Sequence, residues 1–317
     1  MRATAAVLLV HCLLAISHAW DCQTVVDIYN LMQIDAGLGQ VVATDTSQIP
    51  YYLVGDKWIP LPGSLKHITI GPAGIWGVNS GNIIFKYVAG NWHQWASKWR
   101  ALLSYESRGH LLLSFPDTIR VNYSCSTLCH CTVSHLAVLT HAYSMFACLS
   151  LSLWSSAKVK QVDAGGAGFI VGATMDYSPF CLGSSETLGF KGTDAGHTTI
   201  RLAGSMEYLS CGPFGCWAVN NNDEIFLMSN VNKDTCQNKG WSHIDGKLSM
   251  IEVATDGSVF GVNSDGQVYT RDGITASKPE GTGWSIVPMY IPMTHVTYDL
   301  GRLWVVSKSG LTMVCKR

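Results

Sequence analysis

A pattern of alternating apolar residues, a Gly-rich turn and a Val-Asn ending occurs three times in the chain, and this repetition limits the possible folds. The copies begin at Thr69, Ser210 and Ala254 and end at Asn79, Asn220 and Asn263. Each copy continues, after a second turn, into a run of β-branched and aromatic residues. Alternation interrupted by Gly-rich turns is typical of short strands joined by hairpins. Each copy therefore predicts three strands and two hairpins.

Three weaker copies, around Gly39, Gly168 and Gly301, bring the number of units to six. The spacing is 35 residues from Gly39 to Gly74, 47 from Gly168 to Gly215 and 44 from Gly257 to Gly301, but 94 from Gly74 to Gly168. A repeat of this length indicates a repeat architecture. Because three or four short strands cannot cover their own apolar faces, units arranged around an axis are favoured. The sequence predicts an all-β, six-bladed β-propeller, with an open β-sandwich array as the alternative.

The first residues have the pattern of a secretory signal peptide. Met1-Arg2 precedes an apolar run over residues 3–16, and Ser17-His18-Ala19 supplies small residues at a cleavage position. The run is too short to span a bilayer, which takes about 20 apolar residues. We therefore expect residues 1–19 to be removed and residues 20–317 to be secreted into the extracellular space without a transmembrane segment.

Composition and charge narrow the possible functions. The chain is 47% hydrophobic and 14% charged, which is typical of a folded protein, and its net charge of −1 gives no overall attraction to nucleic acid or anionic membranes. The common sequence motifs of hydrolases, metalloproteases and nucleotide-binding enzymes are absent. We expect a protein that is not an enzyme, with no cofactor, no metal and no nucleic-acid partner.

Six cysteines lie in or near the repeats, and export places them in an oxidising compartment. Cys211 and Cys216 flank a Gly-Pro-Phe-Gly turn that can bring them together, and Cys22 and Cys315 would meet at the ends of a closed ring. These two pairs leave Cys181 to pair with Cys236. Six cysteines allow many other connectivities, so this pattern is inferred from ring closure and parity.

Residues 95–157 interrupt the third unit and carry no repeat pattern. Three interpretations compete: a genuine insertion on the third blade, a zinc site, and translated non-coding sequence, which we favour. The zinc ligands would come from Cys125, Cys129, His130, Cys131 and His135. We expect a poorly structured segment. Asn122, in an Asn-Tyr-Ser acceptor sequence, is a candidate for glycosylation if the insert is real.

The units from Trp58 to Asn79 and from Trp241 to Asn263 resemble tectonin repeats. Outside residues 95–157, the whole chain is similar to the fish-egg lectins, relatives of the horseshoe-crab tachylectin. The resemblance implies a secreted six-bladed propeller that binds carbohydrate. It implies N-acetylglucosamine-type sugars and bacterial surface glycans such as lipopolysaccharide as ligands, and a role in egg or innate defence.

Sugar binding needs an aromatic surface for the apolar face of a pyranose and polar groups for its hydroxyls. Trp76 and Trp217 are aromatic candidates, and Asn79, Asn220 and Asn263 are polar candidates. The alternative roles are core packing for the tryptophans and turn formation for the asparagines. A second set of tryptophans opens the units and is predicted to pack between blades: Trp58, Trp92, Trp241 and Trp284.

Several like sites on one ring, or on a homo-oligomer of rings, would bind a repetitive glycan surface by avidity. The alternative function is a non-catalytic scaffold that binds a protein partner through its loops. Competition by free sugar separates the two.

Overall fold

Short antiparallel strands account for nearly all regular structure in the part of the chain that the structure describes. The computed structural model describes residues 20–95, 158–190 and 197–317, together with the backbone of five short strands between residues 96 and 157. The chain divides into two units. The first comprises residues 1–96 and 156–317, and the second comprises residues 97–155. The expected signal peptide, residues 1–19, lies outside the described ranges.

The strands and the helix follow in chain order. Strand β1 is Asp21–Thr24. Blade one contains β2 (Leu31–Gly37), β3 (Gln40–Asp45), β4 (Pro50–Val54) and β5 (Lys57–Pro60). Blade two contains β6 (His67–Gly71), β7 (Gly74–Val78), β8 (Ile84–Val88) and β9 (Asn91–Gln94). The second unit contains β10 (Ser97–Trp99), β11 (Leu103–Tyr105), β12 (His110–Leu113), β13 (Val121–Ser126) and β14 (His130–Val133).

Blade three contains β15 (Val159–Asp163), β16 (Ile170–Thr174), β17 (Pro179–Leu182), the helix α1 (Ser184–Gly189) and β18 (His197–Arg201). Blade four contains β19 (Tyr208–Gly212), β20 (Gly215–Val219), β21 (Glu224–Met228) and β22 (Ser242–Lys247). Blade five contains β23 (Met250–Val253), β24 (Val259–Val262), β25 (Val268–Asp272) and β26 (Gly283–Val287). Blade six contains β27 (Met293–Asp299), β28 (Arg302–Ser307) and β29 (Thr312–Lys316).

The first strand of each blade is the innermost one, and the six inner strands contact one another in ring order. Burial follows this arrangement. All five residues of β6 are buried, whereas five of the six residues of β22 are exposed. The first unit is therefore the six-bladed β-propeller that the repeats predicted.

The start and the end of the propeller close the ring together. Strand β1 pairs with β29 at the outer edge of blade six, and Cys22 lies directly opposite Cys315 in the register. These two cysteines form a disulfide bond, so the closure is covalent. The other disulfide bonds within the described ranges are Cys181–Cys236 and Cys211–Cys216. All three pairs are those expected from the sequence.

Close packing at the inner strands explains the glycines that end them. A Cβ atom placed on Gly71 would collide with the backbone carbonyl of Ala164 in blade three, and one on Gly37 would collide with the carbonyl of Ile70 in blade two. Since any larger residue would force the inner strands apart, Gly is required at these positions. The glycine therefore recurs for two reasons: it allows the turn, and it leaves room for the inner strand of the next blade.

The second unit contains a four-stranded antiparallel meander in the order β11, β12, β13, β14. Asn122 lies on β13, and Cys125 on β13 is the register partner of Cys131 on β14. The expected poor structure of the insert and the zinc interpretation largely concern residues and side chains outside those described.

One boundary of the insert needs correction. Trp95, which we assigned to the insert, belongs to the propeller. It is buried, its backbone N–H donates to Ile84 O, and its ring lies 5.4 Å from that of Trp76 and 5.1 Å from that of Phe190. The insert therefore begins after this residue.

Within the described ranges, no helix has the length and apolar character that crossing a bilayer requires.

Candidate functional site

A ring of buried polar side chains surrounds the propeller axis. Carboxylates lie on the inner strands of blades one, three and five, and hydroxyls lie at the corresponding positions of blades two, four and six. The carboxylates are Asp35, Asp163 and Glu252, and the hydroxyls are Thr69, Ser210 and Thr297. None of the six residues is more than 5% exposed. Acid and hydroxyl blades thus alternate around the ring.

These side chains connect blade one to two, two to three, three to four, four to five and six to one. Asp35 accepts a hydrogen bond from Ile70 N in blade two at 2.8 Å, and Asp163 accepts one from Cys211 N in blade four at 2.8 Å. Each hydroxyl oxygen likewise accepts a hydrogen bond from a backbone N–H of the following blade. The pairs are Ala164 N to Thr69 at 3.0 Å, Val253 N to Ser210 at 2.9 Å and Ala36 N to Thr297 at 3.0 Å. The inner strands are thus held together by side-chain contacts around the ring.

Tyr208 is the centre of a second buried cluster. Its hydroxyl donates to Glu252 Oε1 at 2.6 Å, and Nε2 of His67 and of His295 lie 3.3 and 3.1 Å from the same oxygen. Because the phenol has one proton and gives it to Glu252, both imidazoles must donate from Nε2. Burial lowers the pKa of both histidines to about 3, so each is neutral and can have this tautomer.

The contacts of Ser210 indicate that one of its two carboxyl neighbours, Glu252 or Asp163, is protonated. Its Oγ lies 2.8 Å from Glu252 Oε2 and 3.2 Å from Asp163 Oδ2. One hydroxyl proton cannot serve both contacts, so one of the two carboxyl groups must itself carry a proton. Burial, followed by the charge of Asp35, raises the pKa of both carboxyl groups above the usual range, in agreement with this geometry.

The axial groups therefore bond mainly to one another and to the inner strands. A cavity of about 10 Å³ beside Asp35 and Asp163 has room for about one water molecule. Among the described residues, no three His, Cys, Asp or Glu side chains are placed to hold a metal ion. These contacts indicate that the axial polar residues serve to hold the blades together.

The tryptophans that we predicted to bind ligand are buried in the propeller, which corrects that prediction. Trp76 is 0% exposed and Trp217 is 2% exposed. The indole N–H of Trp76 donates to Ala73 O at 2.9 Å, and the Lys86 ammonium lies 5.3 Å from its ring centroid. Both tryptophans lie on the second strand of a blade, where side chains pack between neighbouring sheets. Neither ring face can stack on a sugar.

The asparagines that we proposed as sugar ligands use their side chains to form hydrogen bonds within their own hairpin turns. The side-chain oxygens of Asn79, Asn220 and Asn263 each accept the backbone N–H four residues later, at 3.0, 2.9 and 2.8 Å. The side-chain amides of Asn220 and Asn263 also donate within the turn, to Glu224 and Gln267. Hairpin formation accounts for this recurrent residue.

A different set of tryptophans lies half-buried at the outer rim. Trp92, Trp241 and Trp284 stand at or just before the outermost strand of their blades. Each indole N–H donates to a backbone carbonyl of the preceding blade or of the loop that follows it. The acceptors are Pro62 O at 2.7 Å, Ala203 O at 2.7 Å and Asp245 O at 2.9 Å. We call these three sites the indole platforms.

A glycine follows each acceptor carbonyl, and the indole lies against it. A Cβ on Gly63 would approach the ring of Trp92 to 3.3 Å, one on Gly204 would approach Trp241 to 3.3 Å, and one on Gly246 would approach Trp284 to 2.9 Å. Because the N–H bond and the glycine fix the ring from one side, the indole cannot turn freely. The platforms are thus preorganised and partly open to solvent.

The surroundings of the platforms differ. The ring of Tyr87 lies 4.9 Å from that of Trp92, and the guanidinium of Arg271 lies 5.1 Å from the Trp284 centroid. Burial lowers the pKa of Arg271, while Asp272, Asp245 and Glu280 raise it and keep the charged form favoured. The platform at Trp284 therefore has a cationic neighbour.

Sequence reasoning predicted that these tryptophans pack between blades, as they do, but missed that they stay partly exposed. The available signal was a Gly five residues after the Trp of the preceding unit, as in Trp58 with Gly63 and Trp241 with Gly246. That Gly supports the indole of the next blade.

Comparison with known proteins supports the repeat assignment. The family profile described as "Tectonin domain" matches residues 30–102 and 134–308. A fish-egg lectin of Cyprinus carpio is 45% identical over 157 residues, which are 49% of this chain and 65% of that protein. A tectonin beta-propeller repeat-containing protein of Drosophila melanogaster is 29% identical over 115 residues, which are 33% of this chain and 8% of that protein. The chain thus spans less than two thirds of the length of either relative.

Solved structures share the fold at low identity. The WD40 repeats of RRP9 match with a TM-score of 0.53 and 8% identity, covering 93% of this chain and 97% of that one. U3-55K matches with 0.52 and 8%, covering 94% and 98%, and streptogramin B lyase matches with 0.52 and 10%, covering 94% and 97%. These likenesses concern the fold alone. Since the tectonin profile covers most of the propeller and the structure has its six blades, the chain belongs to the tectonin family.

Proposed function

We propose that this protein is a secreted lectin that binds sugars at the indole platforms. The observation that carries the proposal is the recurrence of the platform at three rim positions, with the indole fixed and half-exposed each time. A pyranose ring has an apolar face that stacks on an aromatic surface, and a fixed ring loses little entropy on binding. Similarity to the carp fish-egg lectin supports the same class of ligand.

The ligands that we propose are N-acetylglucosamine-type sugars and bacterial surface glycans such as lipopolysaccharide. An acetamido group adds a second apolar surface and an amide that hydrogen-bonds to polar groups at the rim. A single shallow site of this kind binds weakly. Three similar sites on one ring would bind a repetitive glycan by avidity, which suits defence in egg or body fluids.

The test uses the mature chain, residues 20–317, and immobilised N-acetylglucosamine and lipopolysaccharide, with free N-acetylglucosamine as competitor. Trp92→Leu, Trp241→Leu and Trp284→Leu each remove one platform while keeping an apolar side chain. Each should weaken binding to the immobilised glycans, and the triple variant should lose at least about tenfold in apparent affinity. Tyr290→Leu is the control, because Tyr290 is fully exposed and outside the platforms.

Thermal unfolding of each variant must match that of the wild type for the comparison to count. Binding that free sugar does not displace would point instead to a protein-interaction scaffold. Sugar-competed binding that survives in the triple variant would place the sites elsewhere on the propeller.

A further inference from the structure

A pocket of about 270 Å³ lies between blades five and six, beside the strand that closes the ring. The hairpin Asp256–Ser258 and the end of β25 form one side of it. Tyr298 and the residues at the closing seam, Trp20 and Arg317, form the other side. The pocket is separate from the axial ring and contains none of the platform indoles, but it shares Arg271 with the platform at Trp284. We call it the seam pocket.

Opposite charges face each other across the seam pocket. Burial raises the pKa of Tyr298, and the charge of Asp256 raises it further while that of Arg317 lowers it. Both charged groups are therefore close to the Tyr298 ring. Asp272 and Arg271 add a second acid and a second base to the lining. The two carboxylates and two guanidiniums give the side chains of the pocket no net charge.

Several polar groups of the pocket have unused hydrogen-bonding capacity. Asp256 Oδ1 accepts the backbone N–H of Ser258 at 2.8 Å, which leaves Oδ2 available. The Arg317 guanidinium lies over the Trp20 ring at 4.7 Å and makes no ion pair or hydrogen bond within the described ranges. The hydroxyls of Ser258 and Thr270 likewise have no partner among the described residues. The pocket thus offers free acceptors and free donors beside half-buried aromatic rings.

We propose that the seam pocket binds one uncharged pyranose through neighbouring hydroxyls, as a site additional to the indole platforms. This inference rests on the proposed lectin function and names a second sugar site for it. A carboxylate accepts bonds from two adjacent hydroxyls, and a guanidinium donates two parallel bonds to oxygen acceptors. The volume is suited to one sugar ring. Because the side-chain charges of the pocket cancel, a charged sugar would gain little net Coulomb energy there and would still lose part of its hydration.

The experiment measures binding of methyl glycosides to the mature chain by calorimetry and by saturation-transfer NMR. The neutral probes are methyl glucopyranoside and methyl N-acetylglucosaminide, and the charged probes are glucuronic acid and glucosamine. Asp256→Asn keeps the acceptor for Ser258 N and removes the charge, and Thr270→Val keeps the shape and removes the hydroxyl. We expect each variant to weaken binding of a neutral probe at one site by about tenfold.

Asp265→Asn is the matched control, because Asp265 is an exposed aspartate in another hairpin of the same blade. It should bind like the wild type. If both pocket variants also bind like the wild type, or if the charged probes bind as tightly as the neutral ones, the seam pocket is not this site.

The indole platforms provide the second arm of the experiment. In the triple platform variant, neutral-sugar binding that remains and is lost with Asp256→Asn supports the pocket. Loss of all sugar binding in the platform variant alone overturns the pocket and leaves the lectin function standing. If the wild type binds none of the four probes and neither immobilised glycan, both proposals fail.

Discussion

The hydroxyl of Tyr208 satisfies three buried partners at once, namely Glu252, His67 and His295. Tyr208→Phe removes one oxygen and leaves all three without this bond. Since each unsatisfied buried polar group costs about 1–3 kcal/mol, we expect a loss of about 3 kcal/mol in the free energy of unfolding. Urea denaturation measures it.

The control for this prediction is Tyr269→Phe. Among the described residues, the Tyr269 hydroxyl bonds only to Gln267, at 3.2 Å on the surface, and its removal should change stability by less than about 0.5 kcal/mol. Equal effects of the two substitutions would show that the Tyr208 cluster contributes little to stability.

The two buried histidines predict a definite pH dependence. Their pKa of about 3 in the folded protein lies below the value of about 6.5 in an unfolded chain. Between these values the unfolded state binds protons that the folded state does not, so their contribution to stability is lost as the pH falls from about 6.5 to about 3. The raised pKa of Asp163 and Glu252 acts in the opposite direction.

His295→Gln isolates the contribution of one histidine, because Gln can still donate to Tyr208 but does not titrate. Compared with the wild type, the variant should lose less stability on acidification, by about 1 kcal/mol per pH unit between about pH 6 and pH 4. Urea denaturation at several pH values tests this slope. Parallel stability curves for the two proteins would mean that His295 is protonated in the folded state.

The residue patterns predicted which positions recur in each repeat, but they could not predict which of these positions are buried. Trp76 and Trp92 belong to the same unit and differ only in strand, the second for one and the fourth for the other. Because burial decreases from the inner to the outer strand, Trp76 is enclosed and Trp92 is partly exposed. That gradient depends on neighbouring blades, which one unit of sequence does not contain. The seam pocket is formed by residues from both ends of the propeller, so it could not be predicted from a single repeat either.

At the scale of elements, the closing strand predicts unequal disulfide contributions. Cys22–Cys315 has a sequence separation of 293 residues, and Cys211–Cys216 has one of 5. The chain-entropy relation gives about 6 kcal/mol for the long loop and about 2 kcal/mol for the short one. The paired variants Cys22→Ala with Cys315→Ala and Cys211→Ala with Cys216→Ala should therefore differ in stability by about 4 kcal/mol.

Chemical denaturation compares the two disulfide variants, and limited proteolysis shows whether β1 detaches when the long-range bond is absent. A larger loss for the hairpin disulfide would contradict the role of ring closure. The sequence predicted this bond because a closed ring brings its ends together, so the fold class and the pairing depended on one another.

At the scale of the whole molecule, the propeller should be independent of the second unit. A variant that lacks residues 97–155 keeps Trp95 and the strands β1 to β9 and β15 to β29. We expect it to be folded, with a thermal transition within a few degrees of the full chain, and to bind sugar in the same competed manner. Circular dichroism and the glycan-binding assay provide the measurements.

An unfolded or inactive deletion variant would show that the second unit contributes to the propeller. The six repeats predicted the architecture of the first unit from period and strand pattern alone. The second unit has no such period, so neither its meander nor its boundary after Trp95 could be derived from the repeats.

The alternation of carboxylates and hydroxyls on the inner strands limits how blades can be added to or removed from the ring. Every carboxylate now has hydroxyl blades on both sides, because six is an even number. A ring with one blade duplicated or lost would place two acids or two hydroxyls side by side at one junction, with surplus negative charge or a missing acceptor. Engineered insertions and deletions should therefore be tolerated in pairs of blades, because only a pair preserves the alternation.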